Sequence, residues 1–157
     1  MSHHWLIRVN DGKNFDNGIY PIWGVKRGKY NNVKTIIKKI KKGDILWFFT
    51  SKKYGAKFIA MAEYETMYDR ADEPLCRINT LSNEEQNWEG DDDWDIQIKF
   101  NNIVNTRNHN ISVCIQCAGA VLEYDTFKER LKCREEEDGN EYVDLYTHYK
   151  NFIYYLQ

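Results

Sequence analysis

Residues 45–49 constrain the fold most, because Ile45-Leu46-Trp47-Phe48-Phe49 is an unbroken apolar run that follows directly on Gly43-Asp44. Side chains alternate faces along a strand, so a strand without a polar position must be covered on both sides. The polar, partly basic stretch Thr50-Ser51-Lys52-Lys53-Tyr54-Gly55 comes next, and Lys57 to Glu65 reads as a second strand. Together they predict a hairpin. A turn-rich exit is expected over residues 66–74. Farther on, Trp94, Ile96, Ile98 and Phe100 alternate with Asp95, Gln97 and Lys99, the period-two pattern of a half-buried strand. Ile111 to Val121 predicts another strand.

Helical spacing appears in three places. Val33, Ile36, Ile37 and Ile40 form one apolar face, with Asn32 as the expected N-cap and Lys41-Lys42-Gly43 as the C-terminal end. Asp125 is placed to cap a short helix holding Phe127 and Leu131, ending in a charged, exposed break at Glu135-Glu136-Glu137-Asp138-Gly139. Tyr142, Leu145, Tyr146, Tyr149, Phe152, Ile153 and Leu156 then follow helical spacing, and this aromatic stripe is expected to dock on the sheet. The sum is an α+β chain, read as a single domain over residues 1–157.

Composition narrows the function. The chain is 42% apolar and 15% aromatic with 2 Pro, which argues against disorder. A formal net charge of -2 excludes a histone-like cation, so any nucleic-acid contact must come from a local basic face. There is no apolar run long enough for a membrane helix and no apolar core of a secretory signal, so an intracellular protein, cytosolic or nuclear and without a membrane partner, is expected. Cys114 and Cys117 share C-x2-C spacing, but on a strand they would point to opposite faces, and no second pair accompanies them. With Cys76 and Cys133 they read as reduced structural thiols. The acidic run Gly90-Asp91-Asp92-Asp93 lacks the spaced ligands of a calcium loop and reads as solvated surface. No metal and no cofactor are expected. Ser51, His109 and His148 are nucleophile and base candidates by type alone, because no catalytic motif surrounds them.

The stretch from Trp5 to Val25 carries the most chemistry. An apolar run at Trp5 to Val9 leads into loop formers, Asn10-Asp11-Gly12-Lys13-Asn14; Asp16-Asn17-Gly18 marks a second break before Ile22-Trp23-Gly24-Val25. Carboxamides and an indole face suit a flat, polar-edged ligand such as a nucleobase. A core Trp23 with turn-forming asparagines is the alternative from pattern alone.

The ordered set His4-Trp5-Leu6-Ile7, Asn10, Asn14-Phe15, Ile22-Trp23-Gly24-Val25 and Ile40-Lys41-Lys42-Gly43-Asp44-Ile45-Leu46, with the following hairpin and the Trp94 to Phe100 strand, resembles the EVE domain of the PUA-like superfamily. It is similar more distantly to the YTH domain. The resemblance covers residues 4–104 best. It implies a twisted mixed β-barrel flanked by short helices, with a C-terminal helix and a pocket for a flipped, chemically modified base. EVE domains are associated with modified DNA bases and YTH domains with N6-methyladenine in RNA. By this resemblance Trp23 is the stacking wall, Asn14 the contact to the base edge and Asn10 a second polar contact, while Gly24 offers a backbone amide. Val25, Thr50 and Ser51 belong to the same pocket, and Arg8, Lys52 and Lys53 to the nucleic-acid backbone contact. Trp88 or Trp94 supplies the second wall. Trp88 is favoured, since alternation puts Trp94 in register with core residues and Trp88 stands in too polar a setting for core. The expected function is a non-catalytic, monomeric reader of methylated cytosine or adenine in DNA or RNA. The competing readings are a small base-directed enzyme using Asp95 or a nearby Ser, and an adaptor using the C-terminal aromatic helix.

Overall fold

The computed structural model describes residues 2–72, 79–109, 120–139 and 144–152. Within them, β1 (His4–Arg8), β2 (Ile22–Val25), β3 (Ile45–Phe49), β4 (Phe58–Asp69), β5 (Ile96–Asn105) and β6 (Val121–Glu123) build one mixed sheet in the order β2-β5-β4-β3-β1-β6. The helices are α1 (Lys13–Asn17), α2 (Asn32–Ile37), α3 (Asn83–Gln86), α4 (Tyr124–Asp138) and α5 (Leu145–Phe152). β1 and β3 are parallel, from His4 opposite Ile45 to Arg8 opposite Phe49. A parallel pair requires a long crossover, and here it carries α1, β2 and α2, sending β2 to the far edge beside β5.

The sheet curls into a half-barrel with helices around it. The long strands β4 and β5 shift register between Met61 and Glu63 and again between Tyr64 and Thr66, and β3 against β4 shifts at Phe48/Phe49. Each such bulge adds bend and twist. All five side chains of β3 are buried, as two-sided coverage requires. Leu46 and Phe48 join Trp5, Ile7, Ile96, Ile98 and Phe100 in a core on one face. Ile45, Trp47 and Phe49 join Leu6, Tyr124, Phe127, Leu145 and Phe152 on the other, so α4 and α5 cover that face and the aromatic stripe of α5 is spent inside the molecule.

Two buried polar groups fasten β1. The Asp44 carboxylate accepts from Trp5 Nε1 at 3.1 Å, from the Lys41 N–H at 2.9 Å and from the His3 N–H at 3.1 Å. Gly43, at φ 90°, makes the left-handed turn that places it there. His4, 2% exposed, accepts from Trp47 Nε1 at 2.9 Å and packs its ring on Tyr146 and Tyr149 of α5, with centroids at 4.4 and 5.0 Å. Burial pushes its pKa down to about 4 against the pull of Asp125, Asp144 and Asp44.

Several boundaries differ from the sequence expectation. Lys13–Asn17 is one helical turn where loop was expected. α2 ends at Ile37, and Asn32 is its first residue, its Oδ1 accepting from the Val33 N–H instead of capping from outside. β4 runs on to Asp69, because β5 continues to pair with it as far as Ile96. Asp125 lies inside the first turn of α4, and that helix passes through the expected break, Glu, Lys and Arg being good helix formers. The expected strand from Ile111 lies outside the described residues except for Ala120 and Val121, of which only Val121 is in a strand. So do Cys76, Cys114, Cys117, Tyr142, Ile153 and Leu156, and the side chains of His109, Leu131 and Cys133.

Candidate functional site

A cavity of about 570 Å³ opens where the end of β1, the segment leading into α1, β2 and the loop before β5 converge. Small-molecule sites span roughly 300–1,000 Å³. Arg8, Asn10, Asn14, Trp23, Gly24, Val25, Ser51 and Trp94 all line it, so the fold brings together most of the residues singled out from sequence. Thr50, Lys52, Lys53 and Trp88 are outside the lining. Thr50 is buried, its hydroxyl accepting from the Lys57 N–H at 3.0 Å. Lys52 and Lys53 are exposed on a single 3-10 turn, Lys52–Tyr54.

The two tryptophans of the loop take different places. Trp94 is half-buried at the cavity wall, and β5 begins only at Ile96, so strand parity does not govern it. Trp88 is a core residue, 6% exposed and edge-on to Trp23 with centroids 5.9 Å apart. Its polar neighbours in sequence had argued against this. An indole reaches back into the core whatever flanks it on the loop. Trp23 is itself mostly buried, with the Phe15 ring also edge-on to it at 6.1 Å. Gly24 lets these rings meet: a Cβ there would lie 2.5 Å from Trp94 Cβ and 3.1 Å from Trp88 Cζ3.

The polar groups are unequally free. Asn14 donates from Nδ2 to the Glu89 carbonyl at 3.1 Å and accepts at Oδ1 from the Glu89 N–H at 2.8 Å, so its carboxamide first of all staples the loop. One donor and one lone pair are left over. Asn10, in the left-handed region at φ 54°, accepts from the Ser51 N–H at 2.8 Å through its carbonyl. Its side chain is exposed and has no hydrogen-bond partner among the described residues. The Arg8 guanidinium likewise makes no ion pair among them. Lys26 pairs with Asp92 at 2.6 Å, and Asp11 and Glu89 complete the charged lining.

Two glutamines hold this site in place: Gln86, which sequence reading passed over, and Gln97, which alternation had put on the polar face of a half-buried strand and which is instead covered by the loop from Leu81 to Trp94. Gln86 and Gln97 are fully buried. Gln86 accepts from the Tyr20 N–H at 2.8 Å and donates to the carbonyls of Tyr20 at 2.7 Å and Ile22 at 3.0 Å, acting as a partner for the start of β2. Gln97 accepts from the Leu81 N–H at 2.8 Å and donates to the carbonyls of Leu81 at 2.7 Å and Trp94 at 3.0 Å. The loop carrying both tryptophans is thereby tied to the sheet. Ser82 and Glu85 add a capping box at α3. That S-x-x-E pattern was legible, whereas nothing in sequence marks a buried glutamine.

Arg27 is outside the cavity lining and takes other partners than Lys26. It binds Asp69, at 2.7 Å through Nη1, and Asp95 at 3.0 Å; Lys34 also reaches Asp69 at 3.1 Å. Burial would raise the Asp69 pKa, but Arg27, the Ala71 N–H and Lys34 more than offset it and hold the group at about 2. Asp95, the carboxylate an enzymatic reading would use, is thus tied to Arg27 and lies outside the cavity lining. His3, Glu123 and Asp125 bring possible metal-ligand atoms within 4.8 Å of one another, and none of them lines the cavity.

No protein-family model matches the chain, and no curated protein does. Among solved structures, a hypothetical protein from Leishmania major aligns with a TM-score of 0.40 and 12% identity over 87% of this chain and 97% of its own. The YTH domain of the Zygosaccharomyces rouxii MRB1 protein, in complex with N6-methyladenosine RNA, aligns with a TM-score of 0.35 and 15% identity over 84% of this chain and 86% of its own. Neither likeness reaches the level that identifies a shared fold, so the site stands on its own geometry.

Proposed function

We propose that this chain is a PUA-like domain of the EVE kind, a non-catalytic module that captures a methylated base flipped out of DNA or RNA. The observation that carries this is the cavity itself: two indoles, Trp23 and Trp94, line it together with Asn10, whose carboxamide has no hydrogen-bond partner among the described residues, and Arg8, whose guanidinium has no ion pair among them. Trp94 offers the wider surface and Trp23 a buried backstop. Asn10 has the donors and acceptor needed to read a base edge, with the spare donor of Asn14 beside it. Arg8 suits the adjoining phosphate, and Lys52 and Lys53 extend that contact along the backbone.

The energetics are those of a modest binder. Extruding a base costs a few kcal/mol. Stacking on an aromatic face returns about 1–3 kcal/mol, and a buried methyl about 1 kcal/mol. Discrimination then comes from the methyl and affinity from phosphate contacts, which weaken with salt.

The test is fluorescence polarisation on short DNA and RNA oligonucleotides carrying methylated cytosine, methylated adenine or neither, with Trp94→Ala and Trp23→Phe beside the wild type. A preference of about tenfold, or 1.4 kcal/mol, that Trp94→Ala abolishes is the expected result. Equal affinity for modified and plain oligonucleotides refutes the reading.

A further inference from the structure

The cavity already holds a cation against an aromatic face. The Lys26 ammonium lies 5.7 Å from the centre of the Trp94 ring and 2.6 Å from Asp92 Oδ1. An indole face with a carboxylate beside it is how proteins hold organic cations. The side chains of Lys26 and Asp92 are 61% and 53% exposed, so water screens the pair and little holds Lys26 in place. It is a displaceable occupant. Asp11 and Glu89 are further acidic residues of the same lining, where Arg8 is the other basic one, so three acidic residues stand against two basic ones. A neutral ligand would leave this bias unused.

Resting on the reader function above, we propose that the base taken here is cationic: a ring-nitrogen-methylated base such as 1-methyladenine or 3-methylcytosine, positively charged at neutral pH. Its ring replaces the Lys26 ammonium over Trp94 and beside Asp92. Methylation of the pairing edge also removes Watson–Crick pairing, so such a base is already loose in a duplex and costs less to extrude. Lys26 then competes with the ligand. A phosphate-binding lysine would do the opposite.

Isomeric pairs separate charge from size. Short RNA oligonucleotides of one sequence would carry 1-methyladenosine or N6-methyladenosine, and a second set 3-methylcytidine or 5-methylcytidine, with binding read by fluorescence polarisation near neutral pH. The cationic isomer should bind about tenfold tighter or more in each pair. Asp92→Asn should collapse that ratio and Lys26→Ala should widen it, phosphate effects cancelling within each pair. Equal binding of the isomers, or a ratio that narrows in Lys26→Ala, overturns the proposal. A Trp94-dependent preference for the neutral isomers overturns it while leaving the reader function standing, whereas indifference to every methylation removes both.

Discussion

Acidification should loosen this protein well before its carboxylates titrate, and His4 is the reason. The ring is buried and neutral, wedged between Trp47 and the tyrosines of α5, with its pKa pushed from 6.5 to about 4 by burial. In the unfolded chain it titrates near its ordinary value. Between the two values the unfolded state binds the extra proton, so stability falls as pH drops through that window and the loss is complete below the folded value. The shift is worth about 3 kcal/mol, at roughly 1.4 kcal/mol per unit, a large fraction of the ~5–15 kcal/mol that holds a domain folded. Asp69 contributes in a lower window: its stabilisation is present above the ordinary carboxylate range and is lost as pH falls toward about 2. The assay is urea unfolding followed by tryptophan fluorescence at intervals from about pH 7 to about pH 4, with His4→Asn alongside, since an Asn carbonyl can still accept from Trp47. The wild type should lose about 3 kcal/mol more than the variant across the window. Parallel curves would refute the argument, because a neutral, desolvated His4 could not produce them.

Two further outcomes concern the loop over the cavity. Gly24→Ala places a methyl where Trp94 packs, so it should destabilise by about 1–3 kcal/mol and red-shift the emission of the displaced Trp94; an unchanged spectrum and unchanged urea midpoint would contradict the close contact. Gln97→Leu takes the side-chain partner from the Leu81 N–H and the Trp94 carbonyl, while the Leu81 carbonyl still accepts from Arg70 at 3.2 Å, at about 1–3 kcal/mol for each group stranded from water. Faster amide exchange at Leu81 than in the wild type is the expected signature.

Much of the frame was legible before any coordinates. The five-residue apolar run at Ile45 needed cover on both faces and has it. Alternation from Ile96 and the helical stripe through Leu145 and Phe152 likewise mark real elements. These are local patterns, in which period alone says which side of a strand or helix is apolar. The linkage of the two resemblance motifs also has a physical basis, since Trp5 and Asp44 hydrogen-bond to each other across the parallel pair.

The site was legible only in outline. Trp23, Gly24, Asn10 and Arg8 do converge on one cavity, but sequence placed Trp88 outside the core and could not see that Asn14 is engaged with Glu89. It had no signal for Gln86 and set Gln97 on the polar face of its strand, yet both are buried and orient the loop. Period describes residues inside an element; a loop side chain is placed by the path of the main chain and by whatever gap it finds. Trp88 and Trp94 lie six positions apart on the same polar stretch, yet one fills the core and the other faces the cavity. That choice was made by the shape of the space beneath Gly24, a property of the assembled sheet that no segment of the chain carries by itself.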